Sequence, residues 1–252
     1  MAAIRVDELC KSYGDVRAVD GMSFGVDRGE LFGFLGPNGA GKTTTIRALT
    51  GQIRPDGGTI SVLETDPVAE PLETRRRVGI LPEQGSPPSF LTPREYLEFV
   101  GSVRDLDPDL VRRRTDRWAD RLGFESKLDT LHVDLSRGQQ QKVMIAQAFV
   151  HEPDVVFIDE PLANLDPLVQ ERLKRFLVSY AAGDNAVFVS THNIDVAAAI
   201  CTRVGIVADG ALVAERSLEG DGSGESLLEV FVERVDEAGA RDLPTTDELA
   251  DD

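Results

Sequence analysis

Residues 36–43 read Gly-Pro-Asn-Gly-Ala-Gly-Lys-Thr, and this run decides the fold. It fits G-x-x-x-x-G-K-[ST], the P-loop pattern in which a glycine-rich turn between a strand and a helix cradles phosphate. The flanks agree. Leu31-Phe32-Gly33-Phe34-Leu35 is a short apolar run of buried-strand character, and Thr44-Thr45-Ile46-Arg47-Ala48-Leu49 opens a helix. A phosphate chain needs many donors converging at close range. Glycines at 36, 39 and 41 let the backbone approach it. The loop Gly36, Pro37, Asn38, Gly39, Ala40, Gly41, Lys42, Thr43, with Thr44 behind it, turns its free N–H groups and the positive helix end toward the anion. Lys42 adds a point charge for the outer phosphates, and the Thr43 hydroxyl is placed to ligate Mg²⁺.

The composition bounds the rest. At 252 residues, one domain with lobes is expected, and an apolar fraction of 41% supports a core. No apolar run approaches the ~18 residues of a membrane helix. The start, Met-Ala-Ala-Ile-Arg-Val-Asp, carries no signal-peptide core. The expectation is a cytoplasmic chain, with any membrane role reached through a partner. Cys10 and Cys201 stand apart from each other and from any Cys/His cluster, which predicts two reduced, partly buried thiols and no zinc site. A net charge of −17 argues against a nucleic-acid partner, which wants a basic surface. The acidity fits either general solubility or a high-salt cytoplasm. Lysine occurs only at positions 11, 42, 127, 142 and 174, a bias that GC-rich coding would also produce.

Upstream, residues 4–32 alternate apolar and polar side chains between glycines and predict short antiparallel strands. After the P-loop helix, Pro55-Asp56-Gly57-Gly58 marks a turn before a strand at Thr59–Leu63. A helix is expected over 71–77 and a strand over Arg77–Leu81. From about Thr92 to Leu131 the period turns helical, opened by the capping box Thr92-Pro93-Arg94-Glu95. Beyond it come a strand at Val155–Ile158, a helix at Leu168–Ala181, a strand at Ala186–Ser190, a helix at Ile194–Cys201 and a hairpin over Arg203–Ala214 turning at Asp209-Gly210. That alternation is that of a parallel α/β sheet. Residues 221–225 read as a linker, Ser226–Val235 as a short amphipathic helix, and 236–252 as an acidic, disordered tail.

Two further constellations carry chemistry. Val155-Val156-Phe157-Ile158-Asp159-Glu160 is an apolar strand ending in two acids. A P-loop site needs an acid on a neighbouring strand end to hold Mg²⁺, and Asp159 suits it. Glu160, one residue on, can polarise an attacking water. Leu135-Ser136-Arg137-Gly138-Gln139 precedes a helix at Gln140–Val150. Ser136 and Gln139 form a capping box, so locally these residues read first as a plain, well-capped helix start, and the same geometry also suits a second anion site.

Together these residues resemble the ATPase domain of an ABC transporter. The P-loop corresponds to Walker A, Ser136–Gln139 to the Leu-Ser-Gly-Gly-Gln signature, and Asp159-Glu160-Pro161 to Walker B. Leu165-Asp166 is similar to the D-loop, Ser190-Thr191-His192 to the switch histidine, and Tyr13 to the aromatic that stacks on adenine. The resemblance spans about residues 4–215. It implies an α/β fold: a RecA-like P-loop NTPase core with an antiparallel β subdomain and a helical insert at about 85–150. A short C-terminal helix and acidic tail would fill 216–252. It also implies ATP and Mg²⁺ as cofactors, Glu160 as general base and His192 on the γ-phosphate. Two cassettes, as a homodimer or with a paralogous ABC ATPase, would close head to tail, so that Ser136, Gly138 and Gln139 of one complete the P-loop site of the other. His132 and His151 match no motif and are expected to be structural or surface residues.

Three positions depart from the family pattern. Arg137 replaces the first signature glycine. Leu81-Pro82-Glu83-Gln84 puts Glu83 where the metal-ligating Q-loop glutamine usually stands, leaving Glu83 and Gln84 both as candidates. Ala163-Asn164 replaces a small-Gly pair, and Asn tolerates a left-handed turn. The C-terminal Glu225-Ser226-Leu227-Leu228-Glu229-Val230-Phe231 and the stretch Gly79–Glu83 are similar to drug-resistance-type exporters. The expected function is therefore export energised through a separate integral-membrane permease, with the chain peripheral on the cytoplasmic face. The alternatives are a soluble ABC ATPase acting on DNA or ribosomes, which usually carries coiled-coil arms or two cassettes, and a sensor without turnover, against which Asp159, Glu160 and His192 speak.

Overall fold

A computed structural model describes residues 2–160, 162, 165–218 and 226–239. Two long strands open the chain, β1 (Ala2–Tyr13) and β2 (Val16–Asp27), then β3 (Leu31–Leu35), α1 (Lys42–Leu49), β4 (Gly57–Val62), α2 (Pro71–Arg77) and β5 (Val78–Leu81). Helices α3 (Pro93–Ser102), α4 (Pro108–Leu122) and α5 (Arg137–Phe149) follow. The chain continues with β6 (Val155–Asp159), α6 (Pro167–Ala181), β7 (Ala186–Thr191), α7 (Ile194–Ile200), β8 (Arg203–Ala208), β9 (Ala211–Ser217) and α8 (Leu227–Glu237). No described helix is long and apolar enough to cross a membrane.

The larger sheet has the order β5-β6-β7-β3-β8-β9, parallel except for the last strand, and the smaller antiparallel sheet has the order β2-β1-β4. The period-2 alternation of the parallel strands sorts residues between two cores. Leu31 and Leu35, Val156 and Ile158, and Val187 and Val189 face helices α5, α6 and α7. Phe32 and Phe34, Val155 and Phe157, and Ala186 and Phe188 face the small sheet and α1. Five rings fill that second layer: Phe188 lies 5.1 Å from Phe34, 5.7 Å from Phe32 and Phe157, and 6.0 Å from Phe24. Both faces are covered, which is why these strands are continuously apolar. Helices α3 and α4 stand beside α5 as the helical insert, with both capped by side chains as their sequences require: Thr92 and Glu95 bond reciprocally, and Asp107 caps α4.

The first 32 residues depart from expectation. They do not form several short strands. The first two strands each run 12 residues, because irregularities in register, including one beside Glu8 at φ 51°, absorb the breaks without ending the pairing. Leu31 and Phe32 belong to the other sheet altogether. Smaller shifts occur at ends. Leu63 leaves β4 with φ 51°, Arg77 stays in α2, and Arg137, read as part of the loop, is the first residue of α5. Asp236 and Glu237 belong to α8, which packs on α7, β8 and β9 through Leu227 and Val235. The expected linker at 221–225, the tail from 240 onward and the Ala163-Asn164 turn lie outside the described residues.

Both cysteines are free thiols; Cys201 is buried, and burial pushes its pKa up to about 12. His132 is buried with Nδ1 3.2 Å from the Pro88 carbonyl, and His151 sets Nε2 3.0 Å from the Val78 carbonyl. Both serve packing rather than the phosphate loop.

Candidate functional site

The parallel ladder fixes what meets at the carboxyl edge of the sheet. Asp159 on β6 pairs with Ser190 on β7, and Thr191 pairs with Leu35, the last residue of β3. The P-loop leaves β3 there, and its first amide, on Gly36, donates to the Thr191 carbonyl at 3.3 Å. So the loop, Asp159 at the end of β6, Glu160 just after it and the end of β7 are neighbours, at the edge where open α/β sheets bind ligands.

The loop is built for an anion. Gly41 caps α1 with φ 94° and no side-chain cap. A Cβ there would sit 2.2 Å from the Ala18 carbonyl, so only glycine fits. The first N–H groups of α1, on Lys42, Thr43 and Thr44, have no acceptor within the helix and face an open cavity. That cavity, of about 350 Å³, is lined by Ala18, Asn38, Gly39, Gly41, Lys42, Thr43, Thr44, Glu83, Asp159 and Glu160. The Lys42 ammonium is buried and donates to the Gly36 and Pro37 carbonyls at 2.7 and 2.9 Å. Burial holds its pKa below the usual lysine value, while Glu160, Asp159 and Glu83 pull the other way. A cation held by neutral carbonyls beside an anion-binding helix start is the arrangement a phosphate chain completes.

A candidate metal-ligand pair is also assembled. The Thr43 hydroxyl donates to Asp159 at 2.8 Å, bringing two hard oxygen donors together beside the loop. These donors fit Mg²⁺.

Glu160 is held differently. Its backbone is left-handed at φ 52°, a conformation costing a non-glycine residue roughly 1–2 kcal/mol. Its amide donates to the Ser190 carbonyl at 2.9 Å. The carboxylate is gripped from β7: Thr191 Oγ1 donates to one oxygen at 3.0 Å and the His192 amide to the other at 2.9 Å. His192 Nδ1 lies 2.6 Å from that second oxygen. The strained backbone turns the acid toward the cavity and the three contacts fix its direction. Thr191 is a further partner of Glu160, and its one signal in the sequence is its place as the last residue of an apolar strand.

Several expected residues sit elsewhere. Ser136, Gly138 and Gln139 do not line the P-loop cavity. They form the start of α5, with Ser136 exposed and Gly138 and Gln139 half-buried, where Ser136 Oγ accepts from the Gln139 amide at 3.3 Å and the Gln139 side chain accepts from the Ser136 amide at 2.9 Å. Tyr13, at the end of β1, is exposed, with Lys11 Nζ 5.6 Å from its ring centre, and it does not reach the cavity lining. Glu83 lines the cavity, whereas Gln84 faces a neighbouring cleft with Arg137, Gln140 and Gln141.

A parallel sheet with a phosphate loop, a strand-end acid on the loop threonine and a second acid gripped by a histidine defines a P-loop NTPase. Residues 19–163 match the family model described as ABC transporter. The Nod factor export ATP-binding protein I of Paraburkholderia xenovorans is 35% identical over 233 residues, covering 91% of this chain and 77% of the relative. The daunorubicin/doxorubicin resistance ATP-binding protein DrrA of Streptomyces peucetius is 34% identical, over 84% of this chain and 64% of the relative. A solved ATP-binding subunit of an ABC transporter superposes with a TM-score of 0.85 at 31% identity, covering 92% of this chain and 98% of that one. The dimeric, post-hydrolysis cassette MJ0796 bound to ADP and Pi shares the fold at a TM-score of 0.79 and 24% identity, over 86% and 99%. The chain belongs to the ABC transporter family, as its ATP-binding and ATP-hydrolysing cassette.

Proposed function

We propose that the chain hydrolyses ATP to energise an exporter whose permease is a separate integral-membrane protein. The observation that carries this is the adjacency of Thr43–Asp159 and Glu160–His192 at the P-loop. Lys42 and the amides of residues 38–44 bind the phosphates, and Tyr13 stacks on adenine. Thr43, Asp159 and Glu83 hold Mg²⁺; Glu83 takes this place over Gln84 because it lines the cavity. When bound, the metal neutralises charge on the outer phosphate oxygens. Glu160 accepts the proton of the attacking water, and His192 holds that carboxylate and reaches the γ-phosphate.

Ser136, Gly138 and Gln139 serve the cavity of a second copy. Support comes from their position outside their own cavity, on a helix start that Ser136 and Arg137 leave open to solvent. The domain division that fits is a cassette over 1–215, with its insert docking on the permease. The insert exposes Phe90, Phe99, Val103, Leu131 and Val133. Backbone bonds from Val133 to Ser89 and from His132 to Leu91 draw part of that set together. Exposed apolar residues gathered this way fit a protein partner. Such docking would hold the chain on the cytoplasmic face of the membrane. Export is supported by the named roles of the Nod factor and DrrA relatives.

Purification with a multi-spanning membrane protein, followed by ATPase assay, tests the reading. Turnover that rises with a transported compound and vanishes in Lys42→Ala is expected. Unchanged nucleotide affinity in Lys42→Ala would remove the site.

A further inference from the structure

Two of the family departures meet in one place. Glu83 and Arg137 line the same cleft, of about 560 Å³, together with Gln84, Gly85, Ser86, Gln140 and Gln141. They are its two ionisable residues, of opposite sign. One stands in the loop that leaves β5 for the insert; the other is the first residue of α5. That loop lies close on α5. A Cβ at Gly85 would come 3.1 Å from Met144 Cε and 2.8 Å from Pro82 Cγ.

Other polar groups at the start of α5 are committed. Gln139 bonds the Ser136 amide, and the Gln140 side chain donates to the His132 and Leu135 carbonyls at 2.9 and 3.3 Å. Arg137 and Glu83 are exposed, and neither side chain makes a hydrogen bond or ion pair among the described residues. Glu83 also lines the P-loop cavity and acts electrostatically on Lys42. It thus borders both spaces: on one side Lys42, Thr43 and Asp159, on the other Arg137.

We propose that Arg137 is a positioning residue for Glu83: it draws the carboxylate toward the insert, in competition with the Mg²⁺-nucleotide site, through an ion pair across this cleft. The inference rests on the ATPase reading above. Its physical basis is that a glutamine in place of Glu83 would give an arginine no charge to hold, and a glycine in place of Arg137 would give a glutamate none. The two departures make sense together. The pair ties the insert to the nucleotide site. With Glu83 on Arg137, the loop is fastened to α5; with Glu83 on the metal side, the loop is released from it.

The test is a double-mutant cycle read by equilibrium binding. ATP affinity of the full chain is measured calorimetrically with Mg²⁺ and with EDTA, for wild type, Arg137→Gln, Glu83→Gln and the double variant. The readout is the factor by which Mg²⁺ tightens binding. Arg137→Gln should raise that factor about two- to fivefold when Glu83 is present, the range of an exposed ion pair, and leave it unchanged in the Glu83→Gln background. Arg137→Lys should stay near wild type. Equal shifts in both backgrounds, as from an arginine that only touches a second copy's nucleotide, would overturn the pairing. So would no shift in either. If wild type binds no ATP, the ATPase reading falls and takes the pairing with it; if it binds ATP and the shifts are equal, only the pairing falls.

Discussion

Replacing Glu160 by Gln separates binding from chemistry. The carboxylate accepts from the His192 amide at 2.9 Å and from the Thr191 hydroxyl at 3.0 Å, with His192 Nδ1 at 2.6 Å. A Gln carbonyl can keep the two His192 contacts, and the Thr191 hydroxyl can reverse to accept from the new amide. The left-handed backbone at φ 52° suits Gln no worse than Glu. Folding and ATP affinity should therefore change by no more than about one hydrogen bond, ~1 kcal/mol. What is lost is the proton acceptor. A positioned general base contributes roughly 10²–10⁴-fold, or about 2.7–5.5 kcal/mol of barrier. Single-turnover phosphate release should fall by that factor, while calorimetric ATP binding stays near wild type. Wild-type-like turnover would remove Glu160 as base. Loss of affinity together with rate would mean that the residue shapes the binding site instead.

Other perturbations test the frame. Gly41→Ala places a methyl 2.2 Å from the Ala18 carbonyl at φ 94°; nucleotide affinity should drop at least tenfold, about 1.4 kcal/mol, and an unchanged Kd would show that the loop tolerates a side chain. Phe188→Ala removes the ring that touches four others between the sheets and should cost about 3–5 kcal/mol in urea unfolding; a loss below ~1 kcal/mol would mean that the layer repacks freely. Burial, with Arg104 and Arg114 nearby, lowers the His151 pKa from 6.5 to about 4. The unfolded chain then binds the extra proton first, so this contribution is complete above pH 6.5 and is lost as pH falls toward 4. The loss is worth about 3 kcal/mol. His151→Gln should flatten that part of the stability profile; parallel profiles would contradict the burial.

The sequence made the chemistry legible wherever it is local. Gly36–Thr43 needs only its own backbone and the next helix to form an anion site, and the Ser136 and Thr92 boxes close within four residues. The parallel strands were legible because burial on both faces leaves long apolar runs. Long-range pairing was not. The order β5-β6-β7-β3-β8-β9 depends on contacts between segments up to about 170 residues apart, such as Leu31 with Thr202. Gly21, inside β2 at φ 62°, looks like a break, because a bulge and a turn use the same residue. The choice between Glu83 and Gln84 turns on which way one loop faces. The grip of Thr191 on Glu160 needs β6 and β7 side by side, which neither strand announces.

On the proposed function, the P-loop is half a site, completed by Ser136–Gln139 of another copy. Mixing two inactive full-length variants tests it most directly: Lys42→Ala, which lacks a working P-loop, and Ser136→Arg, which blocks the helix start. A mixed pair contains one intact combination, so ATP hydrolysis should appear on mixing and in neither protein alone. A Ser136→Arg chain that hydrolyses ATP at the wild-type rate by itself, or a mixture as inactive as its parts, would rule out the shared site.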